Sequence, residues 1–345
     1  MALPSARGPL RASALAVIAA VAVACSAAPA KKKVLGALPS ATTSAEPEWL
    51  PPRVSAGTDF AKDAREASLF DVRRLTEGWD VTQVAWLADG KQLVVLAVRD
   101  KGDTRSLTLL PTKAGSVPTR LSPKQAEVLA FAAGGTKDKP RVVFATSAGL
   151  FESDLRGDAR PLTGDAQFVA GLTLGPEGRL FTLEREGALA RVVERDDQLA
   201  RRPPLLSSEL SAVVPAFSPD RAYVAFARRG PGGASDLLSF ASVEGRGGGE
   251  LAALGQLKHI TFHPSGRVVV VASDRDRAAF ELYGVFLPGT LASTRASDPG
   301  VTVRRLTFSQ GHSPAFSPDG RSLAFGSTRG GSAADLYVAR FLEDP

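Results

Sequence analysis

The stretch SPAFSPDGRSLAFGSTRGGSAADLYVARF, residues 313–341, decides the fold. Pro318-Asp319-Gly320 is turn chemistry: proline presets φ, aspartate bonds nearby backbone groups, and glycine accepts positive φ. Ser317, directly before proline, is pushed to an extended conformation. PAFS is therefore expected as one strand and RSLAFGS as the next, joined in a hairpin. After a loop rich in Gly and Ser, DLYVARF alternates as a third strand. Three strands are not a fold, and the sequence must supply what completes them.

The turn recurs. Phe316-Ser317-Pro318-Asp319-Gly320 is matched by Trp86-Leu87-Ala88-Asp89-Gly90, Phe131-Ala132-Ala133-Gly134-Gly135 and Leu174-Gly175-Pro176-Glu177-Gly178. Phe217-Ser218-Pro219-Asp220-Arg221 and Phe262-His263-Pro264-Ser265-Gly266 complete the set. The fourth residues of these units stand at 89, 134, 177, 220, 265 and 319, at spacings of 45, 43, 43, 45 and 54. The last spacing is long because residues 287–302 read as an inserted loop. A second marker keeps the same period: Leu75-Thr76, Leu121-Ser122, Leu162-Thr163, Leu206-Ser207, a blurred Leu254-Gly255, and Leu306-Thr307. Two markers in phase over six units predict an all-β, six-bladed β-propeller of four-stranded antiparallel blades over residues 61–345. The final unit stops one strand short at Pro345. A spare strand, Phe70–Thr76, precedes the first unit and is expected to close the last blade, pairing an edge that would otherwise be open.

The N-terminus reads as an address. Arg7 and Arg11 precede an apolar run, residues 12–24, of 13 residues. That suits a secretory signal over residues 1–24 and falls short of the ~20 residues that span a bilayer. The run ends at Cys25, the only cysteine. Ala22-Val23-Ala24-Cys25 resembles a bacterial lipobox, which implies acylation of Cys25; the alternative is an ordinary cleavage site beside an incidental thiol. Ser26 after the cysteine implies, by the same resemblance, a place on the periplasmic side of the outer membrane. Residues 25–60, rich in Ala, Pro, Ser and Thr and without apolar periodicity, are expected to be a flexible tether.

The net charge of +6 becomes +4 without Arg7 and Arg11, with 40 bases against 36 acids. No dense basic run lies in the body of the chain, so nucleic acid is not an expected partner.

The repeat Leu-Thr, Pro-Ala-Phe-Ser-Pro-Asp-Gly, Leu-Ala-Phe, Asp-Leu-Tyr-Val strongly resembles that of TolB-like propellers, most closely in residues 304–341 and 206–240. The resemblance implies the propeller fold and a general role as a periplasmic binding surface. TolB carries an α/β domain ahead of its propeller; here only the tether precedes the ring, so no such domain is expected.

No G-x-S-x-G elbow, P-loop, H-E-x-x-H motif or cysteine pair is present. Two ring positions stand at the start of the innermost strands. The first is filled by Thr82, Glu127, Ala170, Val213, Lys258 and His312. The second is filled by Gln83, Val128, Gly171, Val214, His259 and Ser313. In a propeller Glu127, Lys258, His259 and His312 are expected to approach one another at one mouth of the central channel. They form a site for a small polar ligand or a metal, or one hot spot of a partner groove, or simply a wet channel mouth. His263 replaces the serine of the turn motif and is expected to cap that turn. Glu194-Arg195-Asp196-Asp197 reads as an exposed mixed-charge loop.

The expectation is a monomeric, non-catalytic, lipid-anchored propeller, without cofactor or metal, that binds a protein or peptide in the cell envelope. Its contact with the membrane would run through the lipid anchor only. The alternative is a propeller enzyme acting on a carbohydrate, motivated by pectin-fragment lyases that use TolB-like propellers with a histidine-ligated metal in the channel.

Overall fold

A computed structural model describes residues 63–343, apart from 100–102, 164–168, 187–188, 197, 207–209, 234, 246, 277–278, 290 and 292–299. Cys25, the tether and most of the 287–302 insertion lie outside the described residues.

Six four-stranded antiparallel sheets follow one another along the chain. Blade 1 runs through Asp80–Trp86, Gln92–Val98, Ser106–Pro111 and Thr119–Arg120. Blades 2, 3 and 4 start at Val128–Gly135, Val169–Leu174 and Ala216–Phe217, and blade 5 at Leu257–Phe262. Blade 6 holds His312–Phe316, Ser322–Ser327 and Asp335–Phe341, and its fourth strand is Leu69–Arg74 from the opposite end of the chain. That strand runs antiparallel to the last one, with Leu69 opposite Phe341 and Arg74 opposite Tyr337. The first strands of blades 1 and 2, 2 and 3, 4 and 5, 5 and 6, and 6 and 1 contact one another along the inner wall of the ring.

The core sits between blades. Val81 and Val84 of blade 1 pack with Ala324, Leu336 and Val338 of blade 6. Val268, Val270 and Leu282 of blade 5 pack with Leu323, Phe325 and Tyr337 of blade 6, together with Leu69 and Val72 of the closing strand. Each fully buried side chain of this size contributes roughly 1.5–3 kcal/mol, so the blades stabilise one another only as a closed set.

The two sequence markers have physical explanations. In the blade 6 turn, Ser322 N donates to Ser317 Oγ (2.9 Å), and Ser317 Oγ donates to Asp319 Oδ1 (2.6 Å). Gly320 there takes a φ of +73°, which favours glycine. The Leu-Thr marker is a clamp. Thr76 Oγ1 accepts from Leu336 N (2.9 Å) and donates to Asp335 Oδ1 (3.2 Å). Arg74 pairs with the same carboxylate, which also takes Trp79 N (3.0 Å) at the start of blade 1. Blade 5 repeats it: Leu282 N donates to Thr307 Oγ1 (2.9 Å), Thr307 Oγ1 to Glu281 Oε2 (2.7 Å), and Arg305 pairs with Glu281 (2.6 Å).

Candidate functional site

The innermost strands of five blades bulge near the end at which the chain arrives from the preceding blade. A bulge re-aims the side chains around it. In blade 6 the extra residue falls between His312 and Ala315. Ser313 there has a φ of +51°, in the left-handed region that non-glycine residues seldom occupy.

The turned backbone brings three blades onto one serine. Ser313 N donates to His259 Nδ1 of blade 5 (3.2 Å), and Ser313 Oγ donates to the Thr82 carbonyl of blade 1 (2.8 Å). His312 Nδ1 lies 3.0 Å and His259 Nε2 3.3 Å from the same Oγ. A backbone N–H can only donate, so His259 carries its proton on Nε2. The serine proton goes to Thr82, so its two lone pairs receive His259 Nε2–H and His312 Nδ1–H. Both tautomers are thereby assigned from the network. Nε2 of His312 is left as an unprotonated nitrogen without a described partner. The two rings are 6.3 Å apart between centroids.

Burial pushes His259 down to about 3, helped by His312 and Lys258. Burial also pushes His312 down to about 4, helped by Lys258 and opposed by Asp80. Both imidazoles are neutral at pH 7.

The other predicted residues divide. Lys258 reaches the same mouth: it is exposed, its Nζ sits 4.0 Å above the Phe280 ring, and its charge is felt by both histidines. Glu127 does not join them. Half exposed, it is drawn to Arg105 of blade 1 (2.9 Å). Among the described residues no three His, Cys, Asp or Glu side chains are grouped to hold a metal. His263 caps its turn, as Ser265 N donates to Nδ1 (3.1 Å), and it also links blades 5 and 6 through Nε2 and the Gly320 carbonyl (3.1 Å).

The second ring position is thus partly a set of ties between blades. Gln83 uses both amide atoms on the Phe131 backbone, Nε2 to O (2.8 Å) and Oε1 from N (3.4 Å). His259 and Ser313 make the corresponding ties further round the ring. The repeat aligned these residues, but nothing in the sequence announced the turned backbone at Ser313 that joins them.

Neither a family model nor a curated relative matches the sequence. Similar solved structures include an oligogalacturonate lyase in complex with manganese, at 14% identity and TM-score 0.57, covering 85% of this chain and 98% of that one. A gluconolactonase from Xanthomonas campestris matches at 14% identity and TM-score 0.54, covering 85% and 97%. TolB from Acinetobacter baumannii matches at 13% identity and TM-score 0.46, covering 76% and 65%. The six-bladed ring is consistent with the TolB-like repeat.

The expectation of a non-catalytic chain is corrected by these matches. It rested on missing linear motifs, yet two enzymes share this architecture over most of the chain. A site assembled from separate blades leaves no contiguous motif, and the fold hosts binding proteins and enzymes alike.

Proposed function

We propose that the chain is an envelope propeller, acylated at Cys25 and held on the periplasmic side of the outer membrane. It binds a protein or peptide partner at the channel mouth shared by blades 5, 6 and 1. The observation that carries this reading is the Nε2 nitrogen of His312, whose ring is held through Nδ1 by Ser313 and whose Nε2 has no described partner. The exposed Lys258 ammonium, over the Phe280 ring and with its charge felt at His312, offers a donor for a carboxylate or a carbonyl. Groups preorganised on a closed ring bind with little ordering cost.

The test is photocrosslinking in intact envelopes from a reactive residue at position 258, with position 137 on the opposite face as control. Adducts at 258 that weaken in His312→Ala, with none at 137, support the reading; no adduct at 258 sinks it. Acylation is checked by the mass of the mature N-terminal peptide.

A second reading rests on the same nitrogen. An unprotonated imidazole nitrogen can serve as a base or a metal ligand, and the oligogalacturonate lyase above was solved with manganese. On this reading the chain acts on a carbohydrate. Metal analysis separates the two: stoichiometric metal, lost in His312→Ala, favours the enzyme.

A further inference from the structure

We infer that Gly326 is a positioning residue of the channel mouth: having no side chain, it seats the His312 ring and so keeps Nε2 an acceptor for the partner, an inference that rests on the binding role proposed for that mouth. Gly326 stands opposite His312 in blade 6. Its φ is not positive, so the backbone does not call for glycine there; the ring does. A β-carbon would overlap the imidazole, 2.9 Å from Nδ1 and 3.0 Å from Nε2, with Cε1 closer still, where non-bonded carbons prefer ~3.5–4.0 Å. The ring is not free to back away, because Nδ1 is held at Ser313 Oγ (3.0 Å). With Nδ1–H given to that serine, Nε2 has no proton and can only accept, so the group it takes from a partner is a donor, as a peptide amide is.

Other blades keep a side chain at this position. The residue seven places beyond the fourth residue of the turn is Gly326 in blade 6, and Leu96, Glu184, Ala227 and Ala272 in blades 1, 3, 4 and 5. Leu96, Ala227 and Ala272 are buried in the core. Glu184 accepts from Arg195 (2.7 Å), which the sequence reading put in an exposed loop and which is only 4% exposed. Blade 6 thus departs from its own repeat at two facing points, the positive φ of Ser313 and the missing side chain of Gly326, and both serve one ring. Neither departure helps the fold: a non-glycine residue at positive φ and a glycine inside a strand each cost stability. Local rules broken together at one place mark a functional position.

Nitrogen-15 NMR of the histidines in the full chain tests the seat. Wild type should show His312 as the Nδ1–H tautomer. Gly326→Ala should show mixed tautomers at His312, while His259 keeps Nε2–H because Ser313 N still reaches its Nδ1. Gly331→Ala, in the same blade with open space around it, should change neither. A double-mutant cycle separates the seat from general packing. Gly326→Ala should lower the urea midpoint of wild type but not that of His312→Ala, where the ring it displaces is gone. If Gly326→Ala alone does not fold, adding His312→Ala should restore the fold. An equal loss in both backgrounds, no restoration, or a pure His312 Nδ1–H signal in Gly326→Ala overturns the inference. Photocrosslinking from position 258 reads the partner: adducts should fall about threefold to tenfold in Gly326→Ala, the worth of one hydrogen bond. Mixed tautomers with undiminished adducts would support the seat and sink the mouth as the partner's site.

Discussion

Glu66 and Arg329, separated by 263 residues, form a two-pronged ion pair, Oε1 to Nη2 at 3.0 Å and Oε2 to Nη1 at 3.2 Å. Their side chains are 1% and 8% exposed. Glu66 Oε1 also accepts from Phe308 N (3.2 Å), and the Arg329 guanidinium lies 5.0 Å from the Phe325 ring centroid. Glu66 stands three residues before the strand Leu69–Arg74 that closes the ring. The pair therefore pins the start of the closing strand to the blade it completes. Removing one partner strands a buried charge, which costs about 3–5 kcal/mol. Glu66→Ala should lose that much in urea unfolding of the full chain. A loss under ~1 kcal/mol would show that the pair does not hold the closure.

The clamp at Thr76 gives a second prediction. Its hydroxyl satisfies Leu336 N and the buried Asp335 carboxylate together. Thr76→Val keeps the shape and removes both bonds, which should cost about 1–3 kcal/mol. The equivalent Thr307→Val should cost a similar amount, because Leu282 N and Glu281 are left in the same state. If either variant unfolds at the wild-type urea midpoint, the repeated Leu-Thr marker is not a stabilising clamp.

The parts of the fold legible in the sequence are those fixed by short-range chemistry. Pro-Asp-Gly sets a turn, alternation sets a strand, and the recurrence of Leu-Thr counts the blades. Closure was legible because one unit lacked a strand and another had a spare. The site was legible only as an alignment: Lys258, His259 and His312 shared a mouth, whereas Glu127 was equally aligned and is taken by Arg105. Register along a strand says which residues share a level in the ring, and side-chain partners then choose among them. The positive φ of Ser313 and the burial of Arg195 depend on neighbours remote in sequence, so no local pattern carried them.

The histidines make stability depend on pH. His259 and His312 titrate near 3 and 4 in the fold, against 6.5 for an ordinary histidine. Between those values the unfolded chain binds more protons than the folded one, so their contribution is complete above pH 6.5 and is lost as pH falls towards 4. Each residue contributes at most about 1.4 kcal/mol per pH unit across that window. Wild type should therefore lose stability between pH 6.5 and 4 more steeply than His259→Gln with His312→Gln, measured by urea midpoints at each pH. Parallel curves for the two proteins would refute the assignment of neutral histidines to the channel.

Ser313 holds the tautomers, and that role can be separated from mere packing. In Ser313→Ala the backbone N–H still reaches His259 Nδ1, but His259 Nε2–H, His312 Nδ1–H and the Thr82 carbonyl lose their common partner. Unmade bonds at a buried position cost about 1–3 kcal/mol. The imidazoles then seek water instead, which solvates the charged form and weakens the desolvation that holds His312 near 4. Nitrogen-15 NMR of the histidines should show His312 as the Nδ1–H tautomer in wild type. In Ser313→Ala the spectrum should show mixed tautomers and a titration shifted up towards 6.5. A variant that loses stability but keeps a pure Nδ1–H signal and an unshifted titration would mean that Ser313 only fills space and does not set the His312 tautomer.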